Sequence, residues 1–167
     1  MGFLKKGDRV VVDTHVVVAA AIQHRDGTAA PEIRALLRIM DVCAKLIQTK
    51  ALLDELRPRW RRAGFVPGQV ALLQELESAG KLTIVKRSAL RTLEEEARGA
   101  FRTPGRGGMR DDAPLYEAAL SGDRLVVTND PGLLRRAADL LAATGVRTIA
   151  PVDLAENEGE DPAAPSS

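Results

Sequence analysis

Short, continuously apolar segments alternate along the chain with longer segments in which leucine and alanine recur at helical spacing. The apolar segments are rich in β-branched residues and predict five strands, at 8–13, 44–49, 81–85, 123–128 and 146–150. The helical pattern is found in PEIRALLRIMDVC, KALLDELRPRW, GQVALLQELESAG, SALRTLEEEARGAF, DAPLYEAALSG and DPGLLRRAADLLAATG. Strands that are apolar throughout and separated by helices predict a three-layer α/β/α sandwich around a mainly parallel five-stranded sheet.

Composition places the chain among ordinary globular proteins. Its 167 residues suit one domain with a full core, and 45% are apolar while 28% are charged. Because 24 basic residues face 23 acidic ones, the net charge of +1 creates no overall attraction to nucleic acid or membrane. Any site for a polyanion must therefore be local.

The ends of the chain and its cysteine content refine this picture. The segment 157–167 is acidic, rich in proline and poor in large apolar residues, so we expect a disordered tail after a domain at 1–156. The single Cys43 excludes an internal disulfide and suits a reducing compartment. Asp13 and His15 interrupt the first apolar stretch too early for a secretion signal, and no run is long enough to span a membrane. We therefore expect a cytoplasmic protein.

Acidic residues stand where several predicted strands and helices meet. Asp13 closes the first strand, and Asp130 follows the fourth by two residues. Asp111 and Asp112 begin the helix that leads into the fourth strand, while Glu55 lies on the helix after the second strand. Since parallel strands bring their carboxyl ends to one edge of the sheet, we expect carboxylates from four separate segments to converge there.

Each of these acids also has an ordinary structural interpretation. An aspartate at a strand end or helix start commonly accepts backbone N–H bonds as a turn former or N-cap. Their joint placement on one edge favours a cation site, because like charges about 4 Å apart repel by roughly 4 kcal/mol at an effective dielectric near 20. A ligand set made only of oxygen atoms selects Mg²⁺ or Mn²⁺.

Five segments together resemble one family, the PIN-domain nucleases, from about residue 8 to residue 156: VVVDTHVVVAA, TKALLDELRPRW, RDDAPLYEAAL, LVVTNDPGLL and VRTIAPVDLAE. The resemblance implies a PIN-like fold. It also implies an acidic quartet that is both metal-binding and catalytic, formed by Asp13, Glu55, Asp112 and Asp130. The family spacing favours Asp112 over Asp111. Thr128 and Thr14 are the residues expected to orient metal-bound water.

The activity implied by the resemblance is hydrolysis of RNA phosphodiester bonds with Mg²⁺ or Mn²⁺ as cofactor. Family members mostly cut single-stranded or structured RNA, and many are toxins paired with an antitoxin protein, so RNA, an antitoxin and a second copy of the chain are the partners to consider. For contacts with the RNA backbone, the glycine-rich loop offers Arg106 and Arg110. The segment RPRWRR at 57–62 offers further arginines, with Trp60 as a stacking platform.

Two residues depart from the family pattern. His15 stands where the family commonly has Asn or Ser, and it also occupies the position at which a haloacid-dehalogenase-like phosphatase needs its second aspartate. Pro58 is expected to kink or end the helix that carries Glu55. These departures keep an alternative open, a PIN-like scaffold or RNA-binding module with a catalytically silent site.

Overall fold

A five-stranded sheet forms the centre of the protein in the computed structural model, which describes residues 4–42, 44–66, 68–101 and 112–156. The strands are β1 Arg9–Val12, β2 Lys45–Thr49, β3 Leu82–Val85, β4 Leu125–Val127 and β5 Arg147–Ile149. All pairings are parallel, in the order β3-β2-β1-β4-β5. The five predicted strands and their parallel arrangement are confirmed, with ends that differ by at most two residues.

The central strand β1 shows why these segments read as continuously apolar. Val11 pairs with Ile47 on one side and with Val126 on the other. Val10 and Val12 pack into the core on one face of the sheet, and Val11 packs into the core on the opposite face. Both faces are therefore dry, which removes the polar alternation that a half-exposed strand would show.

Helices cover both faces. Their bounds are α1 Thr14–Asp26, α2 Pro31–Asp41, α3 Lys50–Arg62, α4 Ala71–Ser78, α5 Glu95–Gly99, α6 Ala113–Leu120, α7 Pro131–Arg135, α8 Ala137–Thr144 and α9 Pro151–Glu156, with a 3₁₀ turn at Arg87–Ala89. Apolar residues of α1, α2, α3, α4 and α9 fill one core, and those of α6, α7 and α8, together with Leu52 of α3, fill the other. The predicted three-layer sandwich is confirmed. None of the described helices is both long and apolar enough to cross a membrane.

The helix α3 tests the expectation for Pro58. Of the two expected effects, a kink or an end of the helix, the end is wrong, because α3 continues through Pro58 to Arg62. Leu56 and Trp60 lie on either side of the proline and are 1% and 6% exposed. Burying two large side chains stabilises this turn by several kcal/mol, enough to offset the roughly 3 kcal/mol cost of an interior proline. The same burial contradicts the proposal that Trp60 is an RNA stacking platform.

Other helices are shorter than their sequence patterns suggest. The segment SALRTLEEEARGAF forms only the 3₁₀ turn and the short α5, and the pattern starting at Pro131 divides into α7 and α8 at Arg136. Cys43 and the predicted tail at 157–167 lie outside the described residues.

The single tyrosine of the chain, Tyr116, anchors the second core. Its hydroxyl lies 2.6 Å from Thr148 Oγ1, and its ring centroid lies 4.8 Å from that of Phe101. Burial raises the pKa of Tyr116 to about 12, an effect that outweighs the hydrogen bond with Thr148, and the carboxylates of Asp112 and Asp13 raise it further. The folded protein therefore stabilises the neutral phenol relative to the phenolate.

This pKa predicts loss of stability in alkali. Because the folded pKa of about 12 exceeds the ordinary value of 10, the stabilisation is complete below pH 10 and is lost as the pH rises toward 12. Urea unfolding at several pH values should show midpoints falling across this window, and Tyr116→Phe should remove most of that slope. With one tyrosine in the chain, tyrosinate absorbance reports this group alone. If Tyr116 ionises near pH 10 while the protein stays folded, its phenol is not buried as described.

Candidate active site at the carboxyl edge of the sheet

The crevice between β1 and β4 lies at the point where the strand order reverses. The chain builds β2 and β3 on one side of β1 and returns to build β4 and β5 on the other side. After β1 the chain enters α1 on one face, whereas after β4 it enters α7 on the opposite face. The two connections diverge and leave a crevice at the carboxyl ends of the strands, which is where open parallel sheets bind ligands.

Asp13 occupies the β1 side of this crevice. Its N–H donates to Val127 O at 2.8 Å, so its backbone extends the pairing of β1 with β4. Its side chain is buried and stands at the N-cap position of α1, but it makes no capping hydrogen bond there. Instead, Asp13 Oδ2 accepts a hydrogen bond from Thr128 Oγ1 at 2.7 Å. The ordinary capping role therefore does not account for Asp13.

Thr128 joins the ends of the two strands. Its fully buried hydroxyl donates to Asp13 and accepts from the backbone N–H of Asp130 at 3.0 Å. The Oδ1 atom of Asp130 accepts from Gly132 N at 2.7 Å and from Leu133 N at 3.1 Å. Asp130 thus does cap α7, as its ordinary interpretation expects, and this capping also fixes the orientation of its carboxylate.

Thr14 brings the helix α3 to the same place. Its hydroxyl donates to Glu55 Oε1 at 2.8 Å and lies 3.4 Å from Asp13 Oδ1. A hydroxyl has one hydrogen, and the shorter distance assigns it to Glu55. The two threonines singled out in the sequence therefore contact carboxylates, and their contact with metal-bound water stays a prediction.

Asp112 directly precedes α6, which packs on the face of the sheet opposite α1. It occupies the N-cap position of α6 without a side-chain capping bond. Its carboxylate and that of Asp13 both raise the pKa of Tyr116, which places both charges within electrostatic range of one buried hydroxyl. Asp111 and the predicted RNA-binding residues Arg106 and Arg110 lie outside the described residues.

Arg59 belongs to the segment RPRWRR, whose arginines the sequence offered for RNA contacts, but its partners in the structure were not foreseen. Its Nη2 donates to Glu55 Oε1 at 2.9 Å, and its Nη1 lies 3.1 Å from His15 Nδ1. The side chain is only 20% exposed, so Arg59 is not part of a solvated arginine surface. The spacing of Glu55 and Arg59, four residues apart on one helix, is the signal that could have identified this ion pair.

Asn129, between Thr128 and Asp130, is held by a second cluster of side chains that the sequence did not reveal. Asn129 Nδ2 donates to Glu32 Oε1 at 2.8 Å, and Gln23 Nε2 donates to Glu32 Oε2 at 2.9 Å. Burial alone would raise the pKa of Glu32, but the hydrogen bonds from Gln23, from its own backbone and from Asn129 lower it overall. No periodicity or motif links residues so far apart in the sequence.

The described part of the chain holds no group of three or more His, Cys, Asp or Glu residues arranged to hold a metal ion. Instead, Thr128 bonds to Asp13 Oδ2 and to the backbone N–H of Asp130, while the Thr14 hydroxyl, which donates to Glu55, lies 3.4 Å from Asp13 Oδ1. The donors are nevertheless carboxylate oxygens, the ligand chemistry that Mg²⁺ and Mn²⁺ prefer. The residues thus fit such an ion by their chemistry, and the metal-binding and catalytic roles of Asp13, Glu55, Asp112 and Asp130 stay predictions.

Comparison with known proteins supports the fold. No protein-family model matches the chain, and no curated protein matches it. Among solved structures, the chain is similar to one in the crystal structure of VapBC2 from Rickettsia felis bound to a DNA fragment from their promoter. The two share 15% sequence identity over 85% of this chain and 98% of that chain, with a TM-score of 0.50. At this identity the similarity shows the fold alone, and the predicted PIN-like fold is confirmed.

Proposed function

We propose that this chain is a divalent-metal-dependent endoribonuclease that hydrolyses RNA phosphodiester bonds at Asp13, Glu55, Asp112 and Asp130. The observation that carries the proposal is that two threonines lie among three of these acids at the carboxyl edge of the sheet. Thr128 bonds to the carboxylate of Asp13 and to the backbone N–H of Asp130, and Thr14 donates to Glu55 while lying 3.4 Å from Asp13 Oδ1. Two of the four, Asp13 and Asp112, stand at helix N-caps without capping them. The PIN-like fold adds support.

The described residues prepare the carboxylates for this role. A bound Mg²⁺ or Mn²⁺ supplies Lewis-acid stabilisation of phosphate charge and activates water at neutral pH. The chain holds the carboxylates in fixed orientations: Thr128 binds one oxygen of Asp13, Thr14 and Arg59 bind one oxygen of Glu55, and the first turn of α7 binds one oxygen of Asp130. When one oxygen of a carboxylate is held by a hydrogen bond, the direction of its second oxygen is also fixed. The carboxylates then need less rearrangement to bind a metal ion.

The proposed substrate is single-stranded or structured RNA, with Arg106 and Arg110 as the residues that bind its backbone. The structural neighbour is a chain of VapBC2 bound to a DNA fragment from their promoter, and the family that the sequence resembles contains many toxins paired with an antitoxin. An antitoxin protein and a second copy of this chain are therefore the protein partners proposed here, with the nuclease as the toxin of the pair.

A second candidate function, a PIN-like scaffold with a silent site, is favoured by one observation. The guanidinium of Arg59 already neutralises Glu55, so the described part of the chain does not present four uncompensated acids. The scaffold and the nuclease differ in whether Mn²⁺ binds and whether RNA is cut.

Removing single negative charges should abolish cleavage. Asp13→Asn, Asp112→Asn and Asp130→Asn should each lower the single-turnover cleavage rate of a defined RNA with Mn²⁺ by roughly a hundredfold or more. Asn keeps an amide oxygen that can still accept from Gly132 N, so Asp130→Asn tests charge rather than capping. Because the acids act together, double variants should be little worse than single ones.

The control for these variants is Asp54→Asn. Asp54 is the neighbour of Glu55 on α3, but it forms an exposed ion pair with Lys50 at 2.8 Å. The Asp54→Asn variant should cleave RNA at the parent rate, while Glu55→Gln should not. Equal losses in the two variants, or full activity of Asp13→Asn, would show that the acids do not form the active site.

Binding of Mn²⁺ should stabilise the folded protein. A ligand that binds only the folded state adds about 2.7 kcal/mol at a hundred times its Kd, which shifts the Tm of a domain of this size by several degrees. Asp112→Asn should lose most of this shift, and the metal-free variant should melt no lower than the parent because the substitution removes repulsion between carboxylates. Melting curves of both proteins with and without millimolar Mn²⁺ in low-phosphate buffer give the comparison. The scaffold would be supported if Mn²⁺ does not change the Tm of the parent and the metal-free Asp112→Asn variant melts lower than the parent.

A further inference from the structure

Arg59 bridges two residues of the candidate site through separate nitrogen atoms. Nη2 binds Glu55 Oε1 at 2.9 Å, and Nη1 approaches His15 Nδ1 to 3.1 Å. Glu55 precedes Arg59 by one helical turn on α3, whereas His15 lies in the first turn of α1. The guanidinium therefore links α3 to α1, the helix that directly follows Asp13.

This contact determines which nitrogen of His15 carries the hydrogen. A guanidinium has only donors and stays protonated in proteins, so its hydrogen bond to Nδ1 requires that Nδ1 accepts. In a neutral imidazole the other nitrogen, Nε2, then carries the hydrogen. Arg59 thus selects the Nε2–H form of His15 and orients the ring so that Nε2 lies on the edge turned away from Arg59.

His15 is placed where such a donor can meet a ligand. Its side chain is exposed and lines a pocket together with Asn129, Asp130 and Pro131. The pocket adjoins the carboxylate of Asp130, whose position is fixed by α7 and Thr128. The imidazole therefore lines the same pocket as Asp130, and the positive charge of Arg59 lies at its Nδ1 edge.

We propose that His15 is a substrate-binding residue of this site, whose Nε2–H donates to a phosphate oxygen of the RNA, and that Arg59 is the positioning residue that fixes this form of the ring. The inference rests on the proposed function. It gives a role to His15, at which the sequence departs from the family pattern. The bond from Arg59 to Glu55 contributes to this role because it holds the guanidinium beside the ring.

The form of the ring can be measured directly. The chain has two histidines, and His24 lies away from the site beside Glu75, so the variant His24→Gln leaves His15 as the single imidazole. At a pH where the ring is neutral, ring ¹⁵N NMR spectra should show Nε2–H with Nδ1 unprotonated. Arg59→Met should yield a mixture of the two forms. The control Arg62→Met removes the same charge from the same helix, where Arg62 contacts Pro58 O, and should leave the spectrum unchanged.

RNA binding tests the second half of the inference. Affinity for a labelled oligoribonucleotide is measured in the Asp112→Asn background, which is expected to bind without cutting. His15→Phe should weaken binding about tenfold, the usual effect of losing one hydrogen bond to a charged group. His15→Gln should retain most of the affinity, since its amide nitrogen can replace Nε2. Addition of RNA should also shift the Nε2 resonance of His15.

The outcomes separate this inference from the proposed function. The role of His15 would be overturned if the parent cuts RNA with Mn²⁺ but His15→Phe leaves the RNA affinity of the Asp112→Asn protein unchanged. The proposed nuclease activity would then still stand. A ring that carries its hydrogen on Nδ1 would overturn the role of Arg59. A parent that neither cuts nor binds RNA would overturn both proposals together.

Discussion

The hydroxyl of Thr128 is the contact on which the arrangement of the candidate site depends. It donates to Asp13 and accepts from the backbone of Asp130, so one buried group fixes the acids at the ends of β1 and β4 relative to each other. The parallel sheet places these strand ends side by side, but it does not orient their side chains. A hydroxyl supplies both a donor and an acceptor within one short side chain, which an apolar β-branched residue of the same shape would not.

Much of the fold follows from physics that acts locally in the sequence. Strands such as β1 are buried on both faces, and their continuous apolar runs are visible without any structure. The convergence of Asp13 and Asp130 follows in turn from parallel strands alone. Pro58 shows the limit of local rules, because its cost is offset by core contacts of Leu56 and Trp60 that depend on the whole fold. The segment before Phe101 shows the same limit, since its helical pattern yields only the short α5.

Side-chain partners across the fold were less accessible to prediction. The contact of Arg59 with His15 spans 44 residues, and that of Asn129 with Glu32 spans 97. Such pairs depend on how α1, α2 and α3 pack, which no spacing rule encodes. Asp13 and Asp130 were identifiable because the carboxyl ends of parallel strands lie at one edge of the sheet. The groups that orient the acids depend on which donors tertiary packing places next to them.

The position of the single tryptophan gives the protein a built-in optical probe. Trp60 directly follows Arg59 on α3, and its indole is 6% exposed and packs edge-on against Phe65, with ring centroids 5.5 Å apart. Arg25 lies over the other aromatic ring of this pair, 4.8 Å from the Phe65 centroid. A shift of α3 would alter the surroundings of the indole. The intrinsic fluorescence of the protein should therefore follow the helix that carries Glu55 in real time, without a label.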